Sequence, residues 1–143
     1  MKKTTSLIMT ILAVMLGISA CREDSPMSIE RLPEAARTLI AVHFTDRTPL
    51  VVKHDLNEFE VVFEGGWSIE FDSRGNWKEI DCRTSAVPDD LVPKEILAKV
   101  SELYPGAFIV KMERDRRMFE VKLNNRVGLD FNHSYILTDL DID

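Results

Sequence analysis

The chain has 143 residues, with 18 Lys and Arg against 24 Asp and Glu, three His and two Cys, and a formal net charge of −6 at pH 7. This length suits one domain or two fused small repeats, and 45% hydrophobic with 29% charged residues indicates a globular chain. The acidic balance argues against nucleic-acid binding, because a protein neutralises phosphates with clustered Lys and Arg.

The first twenty residues predict a signal peptide. Two lysines precede a mostly apolar run at residues 7–20, and fourteen residues are too few to span a bilayer. Residues 18–21, Ile-Ser-Ala-Cys, resemble a bacterial lipobox. We therefore predict that Cys21 is lipidated and anchors an exported protein in the bacterial envelope, at the outer membrane on its periplasmic or surface side. The alternative is an ordinary secreted protein cleaved near residue 20.

Residues 21–31 are predicted to form a tether between this anchor and the folded domain. Residues 22–25, Arg-Glu-Asp-Ser, resemble the short charged tether of outer-membrane or surface-exposed lipoproteins, and a plain solvated linker is an equal alternative. Once Cys21 is lipidated, Cys82 has no partner for a disulfide within the chain. We expect Cys82 to be a small buried hydrophobic residue at a strand end.

The chain contains an internal repeat, because residues 32–81 align with residues 92–141 without a gap at a constant spacing of sixty. This alignment predicts two tandem repeats, at residues 32–82 and 92–143, joined by a linker at residues 83–91. The identical pairs are Pro33 and Pro93, Asp55 and Asp115, Phe59 to Val61 and Phe119 to Val121, Phe71 and Phe131, and Asp81 and Asp141.

Each repeat is predicted to begin with an amphipathic helix after its proline, because apolar residues then recur at helical spacing. The period changes to two after the helix, which indicates strands, and Gly65-Gly66 is a hairpin signal between two of them. The predicted fold class is therefore α+β, with each repeat a helix packed on a four-stranded antiparallel sheet. The predicted helical apolar residues are Leu32, Ala36, Leu39, Ile40 and His43, then Ile96, Leu97, Val100, Leu103 and Tyr104.

The alternation in the strands predicts an open sheet face that no helix covers. If Phe59, Val61 and Phe63 point at the helix, their neighbours point to the opposite face. The predicted contact surface of the first repeat consists of Glu60, Glu70, Trp77 and Glu79. Trp77 would supply an exposed aromatic anchor for a protein partner. An equal alternative is that Trp77 folds over the sheet edge as a lid on the core.

The order of short motifs along the mature chain resembles the PepSY-like family of β-lactamase-inhibitor-like secreted proteins. This resemblance implies a two-layer fold duplicated in tandem, and related inhibitor proteins grip a partner enzyme with the concave, helix-free sheet face. The second repeat departs from the pattern at residues 124–126 and 135–137, which argues against a symmetric binding mode. The motifs are Leu32-Pro33, His43-Phe44, Phe59-Glu60-Val61, Gly66, Ile69-Glu70-Phe71-Asp72, Gly75-Asn76-Trp77 and Val87-Pro88.

Motifs for catalysis are missing from the sequence. His43, His54 and His133 have no metal-ligand spacing, and the chain has no glycine-rich phosphate loop and no Gly-x-Ser-x-Gly turn. Asp139, Asp141 and Asp143 occupy alternate positions at the C-terminus, so on a strand they would line one face. We expect them to form a solvated strand edge that discourages aggregation. Cation binding by these aspartates is the weaker alternative.

Together these patterns predict a lipid-anchored envelope protein that is not an enzyme and needs no cofactor or metal. Its predicted role is to bind or inhibit a protein partner through the open face. The alternative is a passive structural or spacer lipoprotein with no regulated target.

Overall fold

The computed structural model describes residues 28–143. The predicted signal peptide, the predicted lipidation site at Cys21 and most of the predicted tether lie outside the described residues. Within residues 28–143 the fold consists of two helices and eight strands, with a short 3₁₀ turn before each helix at Ile29–Arg31 and Asp89–Leu91. The elements are α1 (Glu34–His43), β1 (Pro49–Asp55), β2 (Glu58–Phe63), β3 (Ser68–Asp72), β4 (Trp77–Asp81), α2 (Lys94–Leu103), β5 (Ile109–Arg114), β6 (Met118–Leu123), β7 (Val127–Asn132) and β8 (Leu137–Ile142).

The strands form one eight-stranded antiparallel sheet in which spatial order follows chain order from β1 to β8. The predicted α+β class is therefore confirmed. The two predicted four-stranded sheets are joined into one continuous sheet. The joint is the β4–β5 pair, where Ile80 lies opposite Met112. This pairing satisfies backbone groups that two separate sheets would have left exposed at two further edges.

The helices cover one face of the sheet and enclose a single hydrophobic core. Each begins directly after a proline, Pro33 or Pro93, whose fixed φ suits a helix start. Of the residues predicted from the helical spacing, Leu32, Ala36, Ile40, Ile96 and Val100 are buried in this core together with alternate residues of the strands, and Leu39, Leu97 and Tyr104 pack against it. His43 is only partly buried and Leu103 is exposed, so the prediction was wrong at the last residue of each helix. The largest fully buried side chains are those of Phe44, Phe63, Phe71, Phe131, Ile69, Ile80, Ile96, Met112, Leu123 and Leu129.

The local structure recurs at the spacing of sixty found in the sequence. The bounds of α1 and α2 differ by sixty residues, as do those of β2 and β6. Irregularities in strand pairing recur at the same spacing, and each such bulge bends and twists its strand. The register shifts lie between Pro49 and Val51, between Glu70 and Phe71, between Ile109 and Lys111, and between Asp130 and Phe131.

The β3–β4 turn packs tightly against the start of α1. Gly75 has φ of 85°, and a Cβ atom placed there would lie 2.8 Å from the backbone nitrogen of Ala36 and 2.9 Å from Cβ of Pro33. Glycine is therefore required at this turn both for its conformation and for space. The equivalent turn between β7 and β8 keeps a positive φ, 59°, at Tyr135.

Neither helix within residues 28–143 combines the length and the apolar character needed to cross a bilayer. The described fold thus offers no membrane-spanning helix of its own.

Candidate binding face of the sheet

The sheet face that points away from both helices, here called the open face, carries a continuous row of carboxylates. Strand pairing places one acidic residue of each strand from β2 to β8 directly opposite the acidic residue of the next strand, and Lys53 on β1 lies opposite the first of them. We call these seven residues the acidic row. They are, in spatial order, Glu60, Glu70, Glu79, Glu113, Glu120, Asp130 and Asp139.

Only part of the acidic row is neutralised by lysines. Nζ of Lys53 lies 2.8 Å from Oε2 of Glu60, and Nζ of Lys111 lies 2.9 Å from Oε1 of Glu79. Lys78 pairs with Glu58, which lies beside the acidic row. Within the described part of the chain, the other five carboxylates of the acidic row have no ion pair. Like charges directly opposite one another on neighbouring strands destabilise a sheet, so this arrangement opposes folding.

Three carboxylates of the acidic row have raised pKa values, caused first by partial burial and then by neighbouring negative charges. Partial burial raises the pKa of Glu70 above its ordinary value of 4.5, and the neighbouring charges of Glu79 and Glu60 raise it further. The pKa of Glu120 is raised by partial burial and then by Asp130. The pKa of Asp130 is raised in the same way, by partial burial and then by Asp139. A positive charge placed against the open face would reduce the repulsion at each of these three carboxylates.

The open face is depressed over the second half of the sheet. A depression of about 660 Å³ lies over β5 to β8, and its walls include Glu120, Asp130 and Lys122. Gly128 lies opposite Asp141 and lines the depression without contributing a side chain. A side chain from another molecule therefore has room to approach the acidic row at this place.

Three of the four predicted contact residues lie together on the open face. Glu60, Glu70 and Glu79 are consecutive members of the acidic row, on β2, β3 and β4. All three are partly exposed and accessible to a partner. The alternation of polar and apolar residues is the signal that located them, because it holds without interruption across β2 and β3.

Trp77 does not lie on the open face, which corrects the expectation of an exposed anchor. Its side chain is 7% exposed and belongs to the core, as the lid alternative anticipated. The register shift between Glu70 and Phe71 places Trp77 opposite Phe71, whose side chain is buried. The bulge adds one residue to β4, so Lys78 and Glu79 both reach the open face while Trp77 turns to the core.

An arginine covers the outer side of Trp77. The guanidinium carbon of Arg114 lies 4.0 Å from the centre of the Trp77 ring, and its Nε donates a hydrogen bond of 2.7 Å to the Trp77 carbonyl oxygen. Arg47 lies in the same way 3.7 Å from the ring centre of Trp67. Neither tryptophan therefore offers a free aromatic surface to a partner.

Four members of the acidic row were not among the predicted contact residues. Glu120, Asp130 and Asp139 occupy the positions sixty residues after Glu60, Glu70 and Glu79. The internal repeat could therefore have located them. The internal repeat does not predict Glu113, because Lys53 stands sixty residues before it. The pairing of β4 with β5 places Glu113 opposite Glu79 in the acidic row.

The C-terminal aspartates share the open face, as their alternation predicted. Asp139 lies opposite Asp130, and Asp141 lies opposite Gly128. Asp143 accepts a hydrogen bond of 2.6 Å from Nζ of Lys122. No group of three or more His, Cys, Asp or Glu between residues 28 and 143 is placed to hold a metal ion.

The side chains of Cys82, His54 and His133 are held by burial, ring stacking or hydrogen bonding within the fold. Cys82 is fully buried, as expected, and burial raises the pKa of its thiol to about 12. His54 stacks on the Phe59 ring at 4.5 Å, and Nε2 of His133 donates a hydrogen bond to the backbone carbonyl of Asp115. A buried thiol that stays protonated is a poor nucleophile.

Comparison with known proteins shows that the chain is similar in structure and sequence to proteins of Bacteroides that are described as periplasmic. The family described as "Putative beta-lactamase-inhibitor-like, PepSY-like" matches residues 57–139. A crystal structure of a "putative calcium-regulated periplasmic protein" from Bacteroides thetaiotaomicron is 37% identical, with a TM-score of 0.77 over 81% of this chain and 94% of that one. No curated protein sequence matches the chain.

Two structures from Bacteroides vulgatus are also similar. A "putative periplasmic protein from DUF2874 family" is 35% identical, with a TM-score of 0.80 over 85% of this chain and 98% of that one. A "putative periplasmic protein of unknown function" is 33% identical, with a TM-score of 0.75 over 80% of this chain and 94% of that one. These similarities extend over nearly the whole of each neighbour.

Proposed function

The chain belongs to the PepSY-like, β-lactamase-inhibitor-like family, and we propose that it is a non-enzymatic envelope protein that binds or inhibits a protein partner through its open face. The partner surface it fits is basic, with Lys or Arg side chains that meet the acidic row. Glu60, Glu70 and Glu79 in the first half, with Glu120 and Asp130 in the second, are the proposed contact residues.

The observation that carries this proposal is the length of the acidic row. Seven carboxylates lie in register across seven strands, and five of them have no ion pair within residues 28–143. Directly opposed like charges oppose folding, so stability alone does not account for the row. Binding a basic surface would relieve the repulsion, and complementary charge would also guide the encounter of the two proteins.

The cellular location is part of the proposal. The structural neighbours are described as periplasmic, which supports an exported envelope protein. The lipobox-like residues 18–21 support lipid anchoring through Cys21, most simply at the outer membrane. An anchored protein would stay near other envelope proteins.

We also propose that the fold arose as two copies of one helix-and-four-strand unit, at residues 32–82 and 92–143. The support is the spacing of sixty shared by helices, strands and bulges. The residues that line the open face differ between the two repeats. Ser68 on β3 is matched by Gly128 on β7, which lines the depression over the second half.

The proposal is tested by affinity capture from an envelope extract with residues 25–143, which include every described residue. One variant removes three unpaired charges of the acidic row, by Glu70→Gln, Glu120→Gln and Asp130→Asn. A matched variant removes three exposed acidic charges on the helix side, by Glu30→Gln, Glu34→Gln and Glu95→Gln. The two variants have the same net charge, so they separate the position of the charge from its amount.

We expect the native chain and the helix-side variant to capture one partner in near equal amounts with the chain, and the acidic-row variant to lose it. High salt should also release the partner, because screening weakens contacts between exposed charges. Capture is repeated with calcium and with a chelator, since one neighbour is described as calcium-regulated. If no protein is enriched, or if both variants lose the partner alike, the proposal fails and the spacer role is favoured.

A further inference from the structure

The joint between the two halves of the sheet shows how one edge of this fold can be covered. At this joint Ile80 on β4 lies opposite Met112 on β5. The backbone N–H of Cys82 donates a hydrogen bond of 2.9 Å to the carbonyl oxygen of Val110. All four side chains are buried. The joint thus combines an apolar contact with backbone hydrogen bonds.

Within residues 28–143, the outer edge strand β8 presents the same positions with no further strand paired to it. Leu140 and Ile142 lie sixty residues after Ile80 and Cys82. Their exposed fractions are 42% and 69%, whereas Ile80 and Cys82 are completely buried. Apolar side chains and unpaired backbone groups on one strand edge form a template for a further strand.

The other outer edge, β1, presents the counterpart of β5. Val52 and Leu50 lie sixty residues before Met112 and Val110. Leu50 is 59% exposed, whereas Val110 is 8% exposed. The two edges of one molecule are therefore complementary in the same way as the two strands of its internal joint.

Charge favours contact between the outer edges. In the internal joint Glu79 lies opposite Glu113, which is an unfavourable pair of like charges. At the outer edges the equivalent positions are Asp139 on β8 and Lys53 on β1. A joint between these strands would replace repulsion by attraction.

We propose that β8 of one copy of this chain pairs antiparallel with β1 of a second copy, in the register of the internal joint. Asp139 would lie opposite Lys53, Leu140 opposite Val52, and Asp141 opposite Val51. Contact between two β8 strands is disfavoured, since it brings one set of edge aspartates against another. Two different surfaces meet, so the association is head to tail and can continue from copy to copy.

Disulfide cross-linking of full-length chains in detergent solution tests this register. One chain carries Val51→Cys and the other Asp141→Cys, at positions that the proposal places directly opposite. Directly opposed residues in antiparallel strands have Cα atoms about 4.5 or 5.5 Å apart, which a disulfide can bridge. The control replaces Val51→Cys with Asp55→Cys, on the same strand and face but four residues out of register. The unsubstituted chain is the blank for the native cysteines.

We expect a cross-linked dimer from the Val51→Cys and Asp141→Cys mixture and none from the control mixture. Adding Asp139→Lys to the Asp141→Cys chain should lower the yield about tenfold, because like charges at a contact are strongly unfavourable. Adding Lys53→Glu to the Val51→Cys chain should restore it. The proposal is overturned by equal yields in both mixtures, by no dimer in either, or by the same yield when Asp141→Cys is oxidised alone.

Discussion

Trp77 belongs to the hydrophobic core and lies under Arg114, so its replacement affects the stability of the fold. We expect Trp77→Ala to lower the free energy of unfolding by about 3–5 kcal/mol, as large-to-small changes of buried aromatic residues do. Chemical denaturation monitored by far-UV circular dichroism measures this. Trp77→Phe is the control and should recover most of the loss, and an unchanged midpoint for Trp77→Ala would refute its core position.

Gly75 and Gly106 allow the cost of a left-handed backbone to be measured separately from the cost of a steric clash. Both have φ of 85°, but a Cβ atom at Gly106 meets nothing within 4 Å, whereas at Gly75 it meets the start of α1. We expect Gly106→Ala to cost about 1–2 kcal/mol, the penalty for a left-handed backbone with a side chain. Gly75→Ala should cost clearly more, because Ala36 and Pro33 must move. Thermal unfolding of the two variants side by side measures the difference, and equal losses would contradict the close approach.

The carboxylates of the acidic row give the sheet an unusual dependence on pH. The pKa values of Glu70, Glu120 and Asp130 are raised in the fold, so their protonation stabilises it. This contribution is complete below their unfolded pKa values and is lost as pH rises through the raised values. We therefore expect stability to increase as pH is lowered from 7 through the raised values towards the ordinary values of 4.5 and 3.8.

Two turn aspartates act in the opposite direction at lower pH. The pKa of Asp72 is lowered by hydrogen bonds from Asn76, and that of Asp115 by the backbone N–H groups of Arg117 and Met118. Their contribution is present above the ordinary value of 3.8 and is lost as pH falls through the lowered values. Stability should therefore pass through a maximum and fall below about pH 4.

Thermal melting of the native chain and of the double variant Glu70→Gln, Glu120→Gln across this pH range tests this dependence. The double variant should be more stable than the native chain at pH 7, and its stability should rise less as pH is lowered towards 4.5. Glu34→Gln, Glu95→Gln has the same net charge and should keep the native profile. An equal flattening in both variants would assign the effect to total charge instead of the acidic row.

Strand alternation was sufficient to predict which face each residue of β2 and β3 occupies, because one buried face enforces a period of two. It failed at Trp77, since a bulge changes the direction of the side chains that follow and has no clear local signature here. It also could not predict that β4 pairs with β5, which depends on backbone groups and not on side-chain pattern. The acidic row therefore became visible only in the complete sheet, although its members in β2, β3 and β4 were predicted.

One hydrophobic core extends under both helices and across the β4–β5 joint. We therefore expect the two halves to unfold together in one transition. The two tryptophans both lie in the first half, so their fluorescence reports on that half alone, whereas far-UV circular dichroism reports on both. The two signals should give the same denaturation midpoint. Separate midpoints would show that the halves are independent domains.

We propose that a partner contacts the open face along the acidic row. The most direct measurement is a map of backbone amide chemical shifts of the labelled chain with and without the captured partner. We expect the largest changes on β2 to β7, at Glu60, Glu70, Glu79, Glu120 and Asp130, with small changes on α1 and α2. Changes concentrated on the helices, or on the edge strands alone, would contradict it.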